Sequence, residues 1–341
     1  MRLRRSDVSG KGIRRQRSGK GFRYLAEDGD PVRDPELVDR IRALAIPPAW
    51  RDVWICPHPN GHIQAVGTDD AGRRQYLYHE HWRRSRDEEK HRRVVALAKR
   101  LPELRAAIDA DLCTAGLGRT RVLAGALRML DRGVFRTGGE EYAQDGKNGP
   151  GTRGVATLLR GDVTVQAGTI QFCYPAKGNI ERRVQIRDPS LATLITALRR
   201  NRRDEDRLFT YREGKERRAV RAEDVNERLR ELAGEEFSAK DLRTWHATVL
   251  AAVLVANEGP PPSARARKRT EKAMLTEVAE QLGNTPAVAR RSYVDPRVLE
   301  AWERGDTISA TLTRLPDDPS TLADDELRAA IDKAVIRLLD D

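Results

Sequence analysis

The residues of this sequence best suited to chemistry are cationic. It has 63 Lys and Arg against 52 Asp and Glu, a net charge of +11 and a pI near 9.8, which suits a polyanionic partner. Cleaving a phosphodiester without a metal needs cations on the non-bridging oxygens, a nucleophile, and an acid for the departing oxygen. Arginine serves the first role best, because its planar guanidinium makes bidentate contacts and stays charged. The helical part of the sequence has no dense carboxylate or histidine group, so metal-free chemistry is favoured over a two-metal nuclease.

Four long motifs mark the first 80 residues, and none of them follows from basic composition alone. They are Gly21-Phe-Arg-Tyr24, Ile46-Pro-Pro-Ala-Trp-Arg-Asp-Val-Trp-Ile-Cys56, Gly61-His-Ile-Gln-Ala65 and Gly72-Arg-Arg-Gln-Tyr-Leu-Tyr-His79. Together they resemble the small β domain of the bacterial and poxvirus-like type IB DNA topoisomerases. The resemblance implies half of a clamp around DNA, with double-stranded DNA as the partner and a monomer closing around it.

Five shorter motifs in the rest of the chain resemble the catalytic motifs of the same family. They are Gly133-Val-Phe-Arg-Thr-Gly-Gly-Glu-Glu-Tyr142, Pro175-Ala-Lys-Gly178, Asp241-Leu-Arg-Thr-Trp-His246, Leu282-Gly-Asn-Thr-Pro286 and Arg291-Ser-Tyr-Val-Asp-Pro296. The resemblance implies that Arg136 binds the scissile phosphate and that Arg243 is the second catalytic arginine. It also implies that Lys177 protonates the leaving 5′ oxygen, that Tyr293 is the nucleophile, and that Asn284 donates a hydrogen bond in the transition state.

Two positions depart from the family's commonest pattern. The residue before Lys177 is Ala176, where glycine is more frequent, and many relatives carry histidine at the position of Asn284. Asparagine can donate a hydrogen bond to a phosphoryl oxygen, but it can neither carry a positive charge nor transfer a proton.

The reaction that the resemblance implies is attack by the Tyr293 phenol oxygen on a phosphodiester. This attack gives a 3′-phosphotyrosyl link and a free 5′ hydroxyl, after which the strand rotates and the reaction reverses, relaxing supercoils. Because the covalent link conserves the energy of the bond, neither ATP nor a metal nor another cofactor is required.

Each of these residues also has a structural interpretation. Arg136 and Arg243 could be surface ion-pair partners, Tyr293 a half-buried helix aromatic, and Lys177 a solvated hairpin residue. His246 follows Arg243 by three residues on the same predicted helix. It could contact DNA or pack in the protein core, and its sequence position does not decide between the two.

A second cluster of candidate DNA contacts lies on the last predicted strand of the first domain. Its members are Arg73, Arg74, Gln75, Tyr76 and Tyr78. Because side chains alternate along a strand, Tyr76 and Tyr78 share one face. The family resemblance and the basic flanks favour a DNA-contact strip, and the alternative is a pair of aromatic core residues.

The predicted fold class is α+β, with a small β-rich N-terminal domain and a larger, mainly α catalytic domain that carries a three-stranded β insertion. Residues 1–20 are predicted to be a basic arm, 21–80 the β-rich clamp domain and 81–341 the catalytic domain. The insertion comprises 162–166, 169–174 and 183–186. Residues 257–270, with three prolines and then four cations, predict a flexible basic loop.

Cysteine and histidine patterns predict neither a disulfide framework nor a metal site. Three widely spaced cysteines indicate a reducing compartment, and with the resemblance we expect the bacterial cytosol, in association with the nucleoid. The spacing of a cysteine and histidine group in the first domain matches no standard zinc pattern. This group consists of Cys56, His58, His62, His79 and His81. The longest apolar run, 249–256, is far shorter than the ~18 residues of a membrane span, so no membrane partner is expected.

Two other functions share part of this pattern. A site-specific tyrosine recombinase uses the same chemistry, but its N-terminal domain is usually helical, and its second arginine motif usually begins with histidine where this chain has Lys240. A catalytically inactive DNA-binding clamp would keep the first domain and lose the reactive side chains. All the positions discussed here hold competent residues, which favours the enzyme.

Overall fold

The chain divides into two compact units, Met1–Lys90 and His91–Asp341. The computed structural model describes residues 2–133, 135–143, 151–176, 180–200, 202–314 and 325–340. The first unit is mainly an antiparallel sheet, and the second is mainly helical with a three-stranded sheet, so the predicted α+β class is confirmed. The division at residue 90 falls inside a helix that begins at Glu80. The sequence predicts the boundary between residues 80 and 81, at the start of this helix.

A five-stranded antiparallel sheet, in the order β2-β1-β3-β4-β5, forms the first unit together with one helix. The elements are β1 (Ile13–Ser18), β2 (Gly21–Leu25), α1 (Pro35–Ala43), β3 (Arg51–Ile55), β4 (Ile63–Thr68) and β5 (Arg74–Tyr78). Asp34 caps α1 by accepting a hydrogen bond from the Glu36 amide, and Pro35 opens the first turn. The helix then buries Ile41 against Val53 and Ile55 of the sheet.

Strand β1 lies within residues 1–20, which the sequence assigns to a basic arm. It pairs with both β2 and β3. The guanidinium of Arg15 donates to the carbonyl oxygens of Ile46, Pro47 and Trp50 at 3.1, 3.0 and 2.6 Å, and it lies 4.1 Å from the ring centre of Phe22. This arginine therefore fastens the strand to the loop before β3, although its sequence context suggests only a charged tail.

The second unit is built around one large hydrophobic core. Its helices are α2 (Glu80–Leu112, which starts in the first unit), α3 (Arg119–Gly133), α4 (Pro189–Arg199), α5 (Ala222–Ala233), α6 (Ala239–Ala256), α7 (Ala264–Leu282), α8 (Pro286–Ser292), α9 (Pro296–Arg304), α10 (Ser309–Leu312) and α11 (Asp325–Asp340). In the part of the chain that is described, no helix has both the length and the apolarity to cross a membrane.

The predicted β insertion is present as an antiparallel sheet of β6 (Val163–Gln166), β7 (Thr169–Ala176) and β8 (Ile180–Arg187). Its alternation of buried and exposed positions made it visible in the sequence. A second hairpin, β9 (Thr210–Glu213) and β10 (Glu216–Ala219), was not predicted. Its strands are short and largely charged, so they carry no apolar alternation.

The prediction of a flexible basic loop over 257–270 is wrong for its second half. Helix α7 begins at Ala264, and its cap Ser263 accepts a hydrogen bond from the Ala266 amide at 3.2 Å. The cations Arg265, Arg267, Lys268 and Arg269 therefore lie on the first turns of a helix. The three prolines before Ser263 favour a loop, and the prediction extended that loop past Ser263, which is a preferred residue for a helix N-cap.

A buried polar network joins four helices of the second unit. Arg105 of α2 donates to both carboxylate oxygens of Asp131 on α3, at 3.0 and 3.1 Å, and to Asp332 of α11 at 2.7 Å. Trp245 of α6 donates to the other oxygen of Asp332 at 2.8 Å. Arg328 of α11 donates to the Asp131 carbonyl at 2.6 Å. Because these charges are buried, each depends on its partners to compensate for the loss of water.

The network holds Asp131 in its charged form. Burial alone would raise the pKa of this carboxyl, but Arg328, His246 and Arg105 together lower the pKa well below its usual range. A folded-state pKa below the unfolded value contributes stability that is present above the unfolded pKa and lost as the pH falls.

We expect Asp131→Asn to lower the free energy of unfolding at pH 7 by about 3 kcal/mol, because Arg105 loses one of its two buried anionic partners. The difference from the native chain should narrow by about 1 kcal/mol by pH 3, since the unfolded native chain then takes up a proton at residue 131. Urea unfolding at the two pH values measures both effects.

The matched control is Glu103→Gln, which removes a carboxylate that is 73% exposed and pairs with Arg100 on the surface of α2. Its effect should stay below about 1 kcal/mol at either pH. A deficit for Asp131→Asn that is as large at pH 3 as at pH 7 would contradict the assigned charge state.

Candidate active site

The main-chain carbonyls in the C-terminal turn of α7 accept hydrogen bonds from the arginines of the site. The helix ends at Leu282, and Gly283 caps it in the left-handed conformation, with φ of 59°. The last carbonyls of a helix have no partner within it and carry the negative end of the helix dipole. Such a turn is a suitable anchor for cationic side chains.

Arg136 reaches this turn from the segment after α3. Its Nη2 atom donates to the Gly283 carbonyl at 3.1 Å and to Oδ1 of Asn284 at 2.7 Å. Its backbone is fixed by a second segment, because its carbonyl accepts from the Val155 amide at 2.8 Å. Hydrogen bonds thus hold Arg136 both at its backbone and at its guanidinium.

Two glycines allow this backbone crossing. A Cβ atom added at Gly154 would lie 2.6 Å from the Arg136 carbonyl and 2.6 Å from the Gly138 Cα. Gly138 itself has a φ of 84°, in the left-handed region that side chains disfavour. The Thr-Gly-Gly sequence after Arg136 therefore serves a close approach of two chain segments.

Arg243 reaches the same turn from α6. It is buried, and its Nη2 donates to the Leu282 carbonyl. Its Cζ atom lies 5.4 Å from the ring centre of Tyr293. Burial lowers the pKa of Arg243 to about 10, and the positive charge of Arg136 contributes to that lowering, so the guanidinium is still cationic at neutral pH.

Tyr293 is held by its backbone at the end of α8. Its amide donates to the Ala289 carbonyl at 3.0 Å, and its own carbonyl accepts from the Thr248 hydroxyl at 3.3 Å. The same hydroxyl accepts from the Asp295 amide at 3.2 Å. Thr248 lies on α6, as Arg243 does, so one helix positions both the phenol and the guanidinium beside it.

Asn284 has a fixed amide orientation, because arginine can only donate hydrogen bonds and Oδ1 must therefore be the atom that faces Arg136. Its Nδ2 atom is buried and has no hydrogen-bond partner among the described residues. The amide N–H groups are therefore not used by the described residues, and the role of Asn284 as a donor to the phosphoryl group stays a prediction.

The comparisons with known proteins agree with these motifs. Residues 21–69 match the N-terminal domain of bacterial DNA topoisomerase IB, and residues 79–314 match the catalytic core of eukaryotic DNA topoisomerase I. DNA topoisomerase 1B of Acanthamoeba polyphaga mimivirus is 31% identical over 300 residues, which cover 86% of this chain and 88% of the viral protein. The chain belongs to the type IB DNA topoisomerases. It is accordingly a DNA-binding isomerase, as the resemblance of its motifs predicts.

One solved structure that this chain matches is the XerH site-specific recombinase bound to palindromic difH substrate, in a post-cleavage complex. Its TM-score with this chain is 0.37 at 19% sequence identity. The match covers 59% of this topoisomerase and 49% of the recombinase chain, so this chain spans about half the length of that neighbour.

Two residues of the topoisomerase site were missed in the sequence. Arg182 on β8 donates from Nη2 to the Gln281 carbonyl, and it is paired in register with Tyr174 on β7. Burial raises the pKa of Tyr174 to about 12, although Arg182, Arg243 and Arg136 all act to lower it. Tyr174 is therefore a neutral phenol that faces the arginine cluster.

A strand pattern could have found Arg182. It shares a face of β8 with Val184 and Ile186, two apolar residues that pack against the core. A charged residue on the core-facing side of a strand needs a partner or a function. Lys177, the predicted general acid, lies outside the described residues.

His246 of the topoisomerase contacts the buried network rather than Tyr293. Its Nε2 atom lies 3.5 Å from Oδ1 of Asp131. It lines a cavity of about 390 Å³ together with Leu282 and Val249, among others. His246 thus lies beside the buried network, as the packing interpretation expects, and a contact with DNA stays a prediction.

The strip on β5, in the first unit, is largely exposed. Tyr76 and Tyr78 are 40% and 46% exposed, and their rings stack with centres 6.0 Å apart, so they are not core residues. The guanidinium of Arg74 lies 5.9 Å from the Tyr76 ring. Gln75 points to the other face, where its amide donates to Asp69 at 2.9 Å.

Arg73 shares the same carboxylate partner as Gln75, because its guanidinium pairs with Asp69 at 2.9 Å. Three histidines of the cysteine and histidine group form ring contacts: His79 stacks on His81, and His62 packs edge-on against Trp82. Within the described ranges, no three His, Cys, Asp or Glu side chains are grouped so that they could hold a metal ion.

We expect Gly154→Ala to destabilise this topoisomerase by about 1–3 kcal/mol, because the added methyl group would overlap the Arg136 carbonyl and the Gly138 backbone. Urea unfolding measures the loss. The control is Gly259→Ala, where the added Cβ meets nothing within 4 Å. It should change stability by less than about 0.5 kcal/mol. Equal effects of the two substitutions would contradict a close crossing at Gly154.

Proposed function

We propose that this chain relaxes supercoiled DNA by transient cleavage of one strand, with Tyr293 as the nucleophile and a 3′-phosphotyrosyl intermediate. The observation that carries the proposal is the juxtaposition of the Tyr293 ring with the Arg243 guanidinium at 5.4 Å, while Arg243 and Arg136 bind adjacent carbonyls of one helix end. A phosphodiester held by both arginines would lie beside the phenol.

The chemistry follows from the properties of these groups. Arg136 and Arg243 neutralise the non-bridging oxygens, and the free Nδ2 of Asn284 donates to the phosphoryl group as negative charge accumulates. The Tyr293 phenol gives its proton to solvent water as its oxygen forms a bond to phosphorus, while the bond to the 5′ oxygen breaks and Lys177 gives that oxygen a proton. The bond energy is conserved in the phosphotyrosyl link, so religation is the reverse step and needs neither ATP nor a metal.

The proposed partner is duplex DNA, bound by a monomer that closes around it. The exposed tyrosines of β5 support this part of the proposal, because their faces are free to contact sugars and bases, and Arg74 beside them can contact phosphates. The proposed location is the bacterial cytosol, in association with the nucleoid. Three free cysteines, two of them exposed, support a reducing compartment.

The antiparallel sheet of the first unit favours a topoisomerase over a site-specific recombinase, whose N-terminal domain is usually helical. The two functions differ on plasmids. A topoisomerase relaxes a supercoiled plasmid that lacks any special site, whereas a recombinase would act only through paired sites and would leave exchange products.

We expect Tyr293→Phe to abolish relaxation of supercoiled plasmid and covalent attachment to DNA, because the substitution removes only the attacking oxygen. DNA affinity should stay within about twofold, since the ring and the cations are kept. Gel assays of relaxation and detergent trapping of the covalent complex measure the loss.

The control for this experiment is Tyr211→Phe, a buried tyrosine of β9, which should retain native activity. Peptide mapping of the trapped adduct identifies the attached residue independently. Relaxation by Tyr293→Phe, or an adduct on a different tyrosine, would refute the proposed nucleophile.

We expect Lys177→Ala to slow cleavage of a normal duplex by roughly 100-fold or more, as is typical when a general acid is removed. A duplex with a 5′ sulfur leaving group should recover most of the rate, because a thiolate departs without a proton. Single-turnover cleavage kinetics on the two substrates measure the recovery. Lys215→Ala, in the exposed turn between β9 and β10, should behave like the native chain on both. An equal defect on the two substrates would rule out Lys177 as the acid.

A further inference from the structure

Three guanidiniums from three different elements bind consecutive positions at the end of α7. Arg182 of β8 donates to the Gln281 carbonyl, Arg243 of α6 to Leu282, and Arg136 to Gly283. The proposed reaction uses only the last two of these arginines. Arg182 is likewise bound to a main-chain carbonyl of this helix end, and that carbonyl belongs to the residue before Leu282.

The spacing of these cations is electrostatically unfavourable in the absence of an anion. Arg136 and Arg182 each disfavour the charge of a neighbour, since both contribute to lowering the pKa of Arg243. The helix end offers about half a negative charge, which does not balance three positive ones. No carboxylate of the described residues forms an ion pair with Arg136 or Arg182. A phosphodiester entering this cluster would supply the missing charge.

A structural role would explain only part of the geometry of Arg182. A strut between β8 and α7 needs one donor, and Nη2 already provides it. The Nε atom of Arg182 is buried and has no partner among the described residues, so this guanidinium retains donor capacity within the cluster. Its side chain also approaches the helix end closely, with Nη1 3.1 Å from where a Cβ of Gly283 would lie.

We propose that Arg182 is a third phosphate-binding arginine, which contacts the non-bridging oxygens of the reacting phosphodiester together with Arg136 and Arg243. This inference rests on the proposed function, because it assigns the substrate of that same site. It makes Arg182 a catalytic residue of this chain, contributed by the strand that follows the Lys177 segment.

The neighbouring Arg183 provides a matched control. It lies on the same strand but on the opposite face, it is 80% exposed, and it pairs with Glu181 at 2.8 Å. Arg183→Ala removes the same charge one residue away without touching the end of α7. It should leave cleavage within twofold of native, so any larger effect at Arg182 reflects its position and not the net charge of the protein.

The experiment is single-turnover cleavage of a duplex whose cleavage site has been mapped with the native chain. The reacting phosphate is either normal or replaced by a neutral methylphosphonate, with the two stereoisomers tested separately. Arg182→Ala should slow cleavage of the normal duplex by roughly 100-fold, a typical loss for one donor to a transition-state oxygen. On at least one methylphosphonate isomer the same substitution should cost less than threefold, because the oxygen that Arg182 contacts is gone.

Arg182→Gln removes the charge and shortens the side chain, but it keeps an amide donor. It should slow cleavage of the normal duplex nearly as much as alanine does. Arg182→Lys should restore part of the rate. All three variants should unfold within a few degrees of the native chain, as thermal scans can verify.

Two results would overturn the inference while leaving the proposed function intact. One is an Arg182→Ala rate within threefold of native on the normal duplex. The other is an equal defect on the normal duplex and on both methylphosphonates, which would make Arg182 a structural residue that joins β8 to α7. Failure of the native chain to form any covalent adduct with the normal duplex would instead refute the proposed function itself.

Discussion

Repulsion between guanidiniums is the constraint that organises the candidate active site. Arg136, Arg182 and Arg243 come from distant parts of the sequence, and they can share a small volume only because main-chain oxygens at the end of α7 accept from each of them. Phosphate sites are more often built on helix N-termini, where the dipole attracts the anion directly. Here the opposite end of a helix binds the cations, and under the proposed function the cations in turn attract the phosphate.

The rest of the second unit holds that helix end and the three arginines in fixed positions relative to each other. The buried network around Asp131 joins α2, α3, α6 and α11 behind the site, so the helices that carry Arg243 and lead to Arg136 are fixed to each other. The crossing of Gly138 and Gly154 then fixes the segment of Arg136 itself. The buried charges thus fix the positions of the helices, and the two glycines allow the close contact that positions the segment of Arg136.

Sequence patterns were sufficient for elements with a strong apolar period and for residues inside recognisable motifs. The β insertion, the α+β class and the convergence of Arg136, Arg243, Asn284 and Tyr293 all follow from such signals. The patterns failed where a charged residue performs a structural task. Arg15 fastens strand β1 to a loop, but from the sequence alone it belongs to a basic tail, because its three carbonyl partners lie about 30 residues away.

The hydroxyl of Thr248 has a consequence for how the protein can act. It contacts the main chain at the Tyr293 carbonyl and at the Asp295 amide, and so joins the segment that follows the proposed nucleophile's side chain to the helix that carries Arg243. A shift of α6 would therefore move the backbone of Tyr293 and the guanidinium of Arg243 together, and it would preserve the spacing between the two groups.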